Sequence, residues 1–473
     1  MNGSLATPEI VLALCGMGIL LFGVLRRGDG SLICSMLTIG ALLLAAVLVA
    51  GGAFGLAFEG QFLTDPMSVF SKFLILAAAI LGVVLSLDYN AREGIGRFEF
   101  PVLMLFATLG MMVMVSAGNM MSLYLGIELQ SLCIYVLAAF ARDDVRSAEA
   151  GLKYFVLGAL ASGLLLYGIT LVYGFSGSMD FAAIRQALSD PTRVSEGLIV
   201  GVVFVIAGFA FKVAAVPFHM WTPDVYEGAP SPVTAFLGTA PKVAAMVLFL
   251  RVMVGPFGHV LIQWQALIEI VSVASMILGA LAAIGQSNIK RLMAYSSIGH
   301  MGYVLIGLAC GNAAGLRGAL VYLVVYVFMF LGTFAVILAM RRRGRAVETI
   351  ADLAGLGRND PALAMAMAVF MFSMAGIPPL SGFFGKLYVF LAAVQSGLWT
   401  LAIIGVLTSV VGAFYYLRIV KVMYFDEARE AFDRRPASLS VVAAATGLFT
   451  TFFFIAPAPV LNAAQAAARV LFG

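Results

Sequence analysis

Apolar runs near the length of a bilayer crossing recur from one end of the chain to the other, separated by short polar joints. A span needs roughly 20 apolar residues, so the pattern predicts about fourteen transmembrane helices. They fall at 7–25, 31–56, 66–88, 100–116, 118–140, 148–174, 196–217, 231–254, 262–284, 292–310, 315–340, 361–396, 397–422 and 437–458, the 361–396 segment being interrupted. No joint is long enough for a separate soluble domain. The expected class is an all-α polytopic membrane protein. With 62% hydrophobic and 11% charged residues, the composition agrees.

Loop charges predict an orientation. Alternate loops carry Arg26 and Arg27; Arg92 and Arg97; Arg142 and Arg146; Lys290 and Arg291; Arg341, Arg342, Arg343 and Arg345; Arg358; and Arg418, Lys421, Arg429, Arg434 and Arg435. The opposite loops have only Arg185, Arg193, Arg317 and Arg469, with Arg251 near a segment edge. The basic set is expected in the cytoplasm, which puts both termini on the periplasmic side. The net charge of +4 comes from these loops and argues for no nucleic-acid partner. The first segment has Glu9 and no basic leader, so it reads as a retained helix. Cys15, Cys34, Cys133 and Cys310 are scattered singly, with no pairing or metal spacing. No dinucleotide fingerprint, P-loop or iron–sulfur pattern appears, so redox cofactors are expected in partners rather than in this chain.

Two apolar segments are interrupted by proline. The first runs from Lys212 through Pro217, His219 and Pro223 to Pro230, and the second from Gly376 through Pro378 and Pro379 to Lys386. Proline removes a backbone donor and clashes with the preceding turn, and in lipid the freed carbonyls need protein or water partners. Lys212 precedes its proline, whereas Lys386 follows its own. That reversal, with broken helices in corresponding halves, is what a pair of inverted repeats would give. The organisation expected is 1–99 for helices 1–3, 100–254 for a first five-helix repeat (helices 4–8), 262–424 for a second (helices 9–13) and 437–473 for a C-terminal helix 14, with helices 7 and 12 broken.

Lys72, Lys153, Lys212, Lys242 and Lys386 lie within the apolar runs, and no arginine is expected to accompany them. Each costs roughly 2.5–3.5 kcal/mol at a bilayer centre on insertion scales, so a set of them needs a function. Burial makes a lysine far easier to deprotonate, while arginine keeps its proton. Glu128 is the acid expected deep within a span, and beside Lys153 on the next helix it could ionise. Ordered Glu128–Lys153–Lys212–Lys242–His300–Lys386, these residues suggest a row of titratable groups along the membrane plane, with hydroxyl side chains holding bridging water. His300 could relay protons or pack helices through hydrogen bonds. Lys72 is expected to snorkel from a segment end, a reading open for Lys153 too; His219 is expected at an interface and His259 in a loop.

The stretch Pro217-Phe218-His219-Met220-Trp221-Thr222-Pro223-Asp224-Val225-Tyr226-Glu227-Gly228-Ala229-Pro230, with Lys212 before it and Pro241-Lys242 after, resembles the antiporter-like membrane subunits of bacterial respiratory complex I, NADH:quinone oxidoreductase. The Thr-Pro-Asp-Val-Tyr-Glu-Gly-Ala-Pro wording, the chain length and Lys386 in the second break are similar to the N type of subunit. The resemblance implies fourteen helices with two inverted repeats in the bacterial inner membrane. It implies a proton path through Glu128, Lys153, Lys212, Lys242 and Lys386, coupled to electron transfer from NADH to quinone elsewhere. FMN, iron–sulfur clusters, NADH and quinone would belong to partner subunits. The membrane neighbours would be the antiporter-like subunits M and L and small subunits such as K, J, A and H. A cation/proton antiporter subunit and a structural anchor without a proton path are the alternatives.

Overall fold

The computed structural model describes every residue except Met1, Asn2, Arg27, Asp29, Thr192, Arg193 and Gly473; the loop charges Arg27 and Arg193 therefore lie outside the described residues. Long helices cross back and forth: α1 (Thr7–Leu25), α2 (Ser31–Ala50), α3 (Pro66–Arg92), α4 (Glu99–Val115), α5 (Met120–Ala138) and α6 (Val145–Ser176). A short α7 (Phe181–Ala187) leads to α8 (Glu196–Val213), α9 (Thr222–Gly228), α10 (Ser231–Leu237) and α11 (Ala240–Val254). Then follow α12 (Leu261–Ile284), α13 (Ile289–Ala309), α14 (Ala313–Ala339), the one-turn α15 (Leu356–Asn359), α16 (Pro361–Ala375), α17 (Ser381–Gln395), α18 (Trp399–Phe425), α19 (Ala437–Phe452) and α20 (Ala458–Arg469). Among the described residues, 11 helical stretches are long and apolar enough to cross a membrane, with the shorter apolar helices α4, α16 and α19 between them.

Burial separates an axis from a periphery. All of the most apolar window across Ser231–Val254 is buried, and 94% of that in α13 and in α14, against 39% in α2, α6 and α18. The peripheral helices turn leucine, valine and phenylalanine outward, as lipid-facing surfaces do. Small residues let the axis close up: a Cβ at Gly279 of α12 would meet Gly299 of α13 at 2.6 Å from its nitrogen.

Ionic contacts tie the arginine-rich loops into one face. Arg341 donates to Glu93 at 2.6 Å, Arg418 to the Ile284 carbonyl at 3.1 Å, and Arg435 pairs with Asp360. On the opposite face Arg185 donates to the Leu471 carbonyl at 3.2 Å and Arg317 to Gln465 at 3.1 Å.

The elements depart from the sequence pattern in three places. The second apolar run stops being helical at Ala50 and leads to a hairpin, β1 (Gly55–Ala57) against β2 (Phe62–Thr64). Residues 437–473 hold two helices rather than one. Pro457 and Pro459 end the span, and the alanine-rich α20 packs its small face on α3 and α14. The 231–254 run is itself broken between α10 and α11, where Thr239 leaves helical geometry just before Pro241. That interruption bears directly on the site.

Candidate functional site

Lys212, Lys242 and Lys386 each stand beside an interrupted helix. In the first break, α8 stops at Val213 with Ala214 in the left-handed region (φ 60°), and Val216-Pro217 is cis. Carbonyls released there find partners: the Trp221 indole donates to the Phe211 oxygen at 3.2 Å, and the Ala215 amide to Ala210 at 2.8 Å. Lys212, in the last turn of α8, is 7% exposed and donates to Ser131 Oγ at 2.7 Å and Tyr135 OH at 3.5 Å, both on α5. Ser131 sits one turn from Glu128 on the same helix. The break thus aims the lysine across to the helix that carries the acid.

The second break places Lys242 in the first turn of α11. Its ammonium donates to Ser297 Oγ at 2.6 Å, and Ser297 is hydrogen-bonded to Tyr326 OH at 2.6 Å. Tyr326 donates in turn to the Gly238 carbonyl at 3.0 Å, the oxygen that the interruption releases. Lys242 is 1% exposed and faces the Tyr226 ring at 5.3 Å. The signal for this break was Pro241, which cannot donate to a continuing helix.

In the third break, Gly376 takes φ 89° after α16, Pro378-Pro379 is cis, and α17 begins at Ser381. Lys386 of α17 reaches back over Gly376 to the released Met374 and Ala375 carbonyls at 2.9 and 3.0 Å, and to Ser409 Oγ of α18 at 2.7 Å. A Cβ at residue 376 would meet the lysine at 3.0 Å, so glycine serves both the left-handed turn and the passage of the side chain. The Ser373 hydroxyl accepts the Gly382 amide at 2.9 Å, stitching the two halves together.

Between Lys242 and Lys386 lies His300 on α13, 2% exposed, packed against Tyr326 at 5.4 Å on one side and sharing a small cavity with Lys386 on the other. Its Nδ1 bonds Tyr322 OH at 2.7 Å and its Nε2 bonds Tyr416 OH at 3.0 Å, while Tyr416 is bonded to Ser296 at 2.6 Å. His300, Ser296, Tyr303, Lys386, Ser409 and Tyr416 surround an internal cavity of about 10 Å³, space for about one water. Ser131, Tyr135, Ser297 and Ser409 bond the lysines directly, a closer role than the water-bridging expected of hydroxyls, while Tyr322 and Tyr416 hold His300. Their fixed donors and acceptors form a polar run through α13, α14 and α18.

Three sequence expectations are corrected. Lys153 pairs with Asp224 and Glu149, each at 2.7 Å, and not with Glu128. It lies at one mouth of the row in a group with Arg291 and Glu227, 42% exposed, because α6 turns that face toward α9. Glu128 is half-buried, and its Oε1 has no hydrogen-bond partner among the described residues. Lys72 does not snorkel: it is 1% exposed and meets Glu9 of α1 at 2.6 Å, beneath the Phe62 ring of β2 at 4.9 Å. The expectation that arginine is absent from the buried cations fails at Arg251, 2% exposed. Its two terminal nitrogens bond both oxygens of Asp65 at 2.7 and 2.8 Å, while Asp65 also caps α3 by accepting the Ser68 amide. His219 is half-buried after the first break, and His259 lies in the exposed joint before α12.

Among the described residues no three His, Cys, Asp or Glu side chains group as metal ligands would, and the four cysteines are unpaired. Residues 117–412, from just before α5 into α18, match the family described as NADH:quinone oxidoreductase/Mrp antiporter, TM. The chain is 67% identical to NADH-quinone oxidoreductase subunit N of Granulibacter bethesdensis and 59% identical to that of Gluconacetobacter diazotrophicus, each comparison covering 100% of both chains. Its fold superposes on a chain of respiratory complex I from Thermus thermophilus with bound aureothin (TM-score 0.83, 32% identity, 97% of this chain and 99% of that one). It also superposes on a chain of the Mrp complex from a Dietzia species (TM-score 0.88, 21% identity, 100% and 98%), a likeness of fold alone. With a family match over the whole row and full-length identity of this order, the chain belongs to the NADH-quinone oxidoreductase subunit N family.

Proposed function

We propose that this chain is a proton-translocating membrane-arm subunit of NADH:quinone oxidoreductase, in which Glu128, Lys153, Lys212, Lys242, His300 and Lys386 carry the proton path. One observation supports this above the rest. The hydrogen-bond partners of Lys212, Lys242 and Lys386 are hydroxyls and carbonyls, none of them a carboxylate. A lysine bound to neutral acceptors can lose its proton without stranding a buried anion; one locked to a carboxylate cannot. Serine and tyrosine hydroxyls both donate and accept, so they can pass a proton between such lysines.

The coupling is electrostatic. Quinone reduction in another subunit alters a charge near Glu128, a half-buried residue of α5. Glu128 acts on Lys212, and the proton then moves through Lys242 and His300 to Lys386. Moving one charge against 100 mV costs about 2.3 kcal/mol, and a two-unit change in a lysine's pKa is worth about 2.7 kcal/mol. Local charge changes of that size suffice. Lys153, with Asp224 and Arg291, forms the row's contact with water.

On this reading NADH, FMN, iron–sulfur clusters and quinone are held by partner subunits, and this chain has no redox site of its own. The neighbours are membrane-arm subunits of the M, L, K, J, A and H kinds. The two inverted repeats are 100–254 and 262–424, flanked by 1–99 and 437–473. The arginine-rich face lies in the cytoplasm and both termini in the periplasm of a bacterial inner membrane. The deciding experiment is Lys212→Met in the whole complex reconstituted in vesicles. Proton uptake coupled to NADH oxidation is expected to fall sharply with the complex assembled. Full pumping by the variant would sink the proposal.

A further inference from the structure

A cleft opens on the arginine-rich face, beside α5. It has a volume of about 650 Å³ and lies between α4, α5 and α6. Its mouth carries Arg97, Glu99 and Arg142; its walls include Tyr135, Phe140 and Phe155. Among the described residues neither arginine side chain has a hydrogen-bond or ion-pair partner, although acids are plentiful on this face. Glu99 presents a complementary deficit: its Oε2 is buried without a hydrogen-bond partner. The floor is apolar and aromatic and opens sideways through Val136, Leu152 and Phe155, which are 49–64% exposed.

We propose that this cleft is a binding site for a phospholipid of the phosphatidylethanolamine type. Two free guanidiniums match a phosphate diester, and a carboxylate beside them matches an ammonium group. An aromatic-walled slot at a membrane boundary accommodates the glycerol and upper acyl chain. The headgroup therefore has to carry both charges, which phosphatidylethanolamine does. Phosphatidylglycerol lacks the cation, and phosphatidylcholine has a cation without hydrogen-bond donors. Tyr135 lines the cleft and its hydroxyl lies 3.5 Å from Lys212 Nζ, so the bound chain rests against a residue that positions Lys212.

The test uses the assembled complex in vesicles containing a trace of lipid with a photoreactive group high on its acyl chain, the labelled peptides being identified by mass spectrometry. Phosphatidylethanolamine is expected to label α5 and α6 at this cleft on the order of tenfold more than phosphatidylcholine, the size of one charge-assisted hydrogen bond. Glu99→Gln, which keeps the side chain's shape, should erase that preference, and Arg97→Gln with Arg142→Gln should lower labelling by both lipids. Equal labelling of the unaltered complex by all three headgroups overturns the proposal. So does the absence of label because a neighbouring subunit covers the cleft. Equal labelling by phosphatidylethanolamine and phosphatidylglycerol overturns the matching of Glu99 with an ammonium group.

Discussion

The buried cations divide by the charge of their partners, and the division follows position in the fold. Lys72, Arg251 and Lys290 are each closed by a carboxylate: Glu9 at 2.6 Å, Asp65 at 2.7 Å and Glu348 at 3.1 Å. Lys72 lies in the second turn of α3, Lys290 in the first turn of α13 and Arg251 in the last turn of α11, and each ties its helix to a distant part of the chain. Lys212, Lys242 and Lys386 lie at mid-chain interruptions and are held by Ser131, Ser297, Ser409 and the Met374 and Ala375 carbonyls. The first group is stabilised as fixed ion pairs. In the second, a neutral amine and an ammonium can both be satisfied by the same neighbours. On the proposed path the carriers are the buried lysines with neutral partners, and burial alone does not set them apart.

Exchanging lysine for arginine probes that distinction with the largest expected effect. Arginine keeps a cation but holds its proton at any pH below about 12. Lys242→Arg in the whole complex should leave no proton uptake through this subunit, because Ser297 and Tyr326 would face a permanent charge. Lys72→Arg, placed opposite Glu9, should keep pumping near that of the unaltered complex. Proton uptake measured with a pH-sensitive dye in vesicles compares the two. Equal behaviour of the two variants would erase the division.

Much of this was legible in the residues. Lysines in apolar runs pointed to Lys212, Lys242 and Lys386, and Pro217 and Pro378-Pro379 pointed to two breaks. What periodicity could not carry was direction around a helix. Lys153 was one residue on an apolar run, and only the packing of α6 against α9 turns it toward Asp224 and away from Glu128. Lys72 and Arg251 looked like edge residues because Glu9 and Asp65 stand far from them in sequence, so the pairs exist only once α1, α3 and α11 meet. Hydroxyl partners such as Ser297 and Tyr416 give no sequence signal in a span, where serine and tyrosine also serve packing. Pro241 was visible but sat inside an otherwise continuous apolar run.

A second contrast concerns stability. Asp65→Asn leaves Arg251 buried without its anion, and breaking a buried pair in this way costs about 3–5 kcal/mol. Melting of the detergent-solubilised complex should shift down strongly. The pH dependence has a defined sign. Burial alone would raise the Asp65 carboxyl, but the adjacent Arg251 and the hydrogen bonds from Arg251 and Ser68 outweigh it and hold it below the usual carboxylate range. The pair's stabilisation is then fully present above the unfolded value of about 3.9 and is lost as pH falls through the lower folded one. The Asn variant should lack this acid-dependent step, and an unchanged step would assign it to another group.

Removing a neutral partner should do less. Ser297→Ala deprives both Lys242 and Tyr326 of a hydrogen bond at the second break. An unsatisfied buried group costs about 1–3 kcal/mol, so melting should fall by less than in Asp65→Asn. Slowed proton uptake with assembly retained would separate this change from a loss of fold. Ser297→Thr, which restores the hydroxyl, should recover most of the rate. Failure of threonine to rescue would assign the effect to packing on α14.

Lys153 gives the smallest effect and the finest test, because it belongs to neither group cleanly. It has carboxylate partners, like Lys72, yet it is 42% exposed and shares Asp224 with Arg291. Ion pairs open to water are worth about 0–1 kcal/mol, so Lys153→Gln should hardly move the melting temperature. If Lys153 lies at a watery mouth, the row beyond it remains intact and proton uptake should fall only modestly, more at high pH, where a supply of bound protons matters most. If Lys153 instead switches against Glu128 within the membrane, Lys153→Gln should match Lys212→Met and abolish uptake at every pH. The ratio of those two variants, measured across pH in the same vesicles, therefore decides whether the path begins at Lys153 or at Lys212.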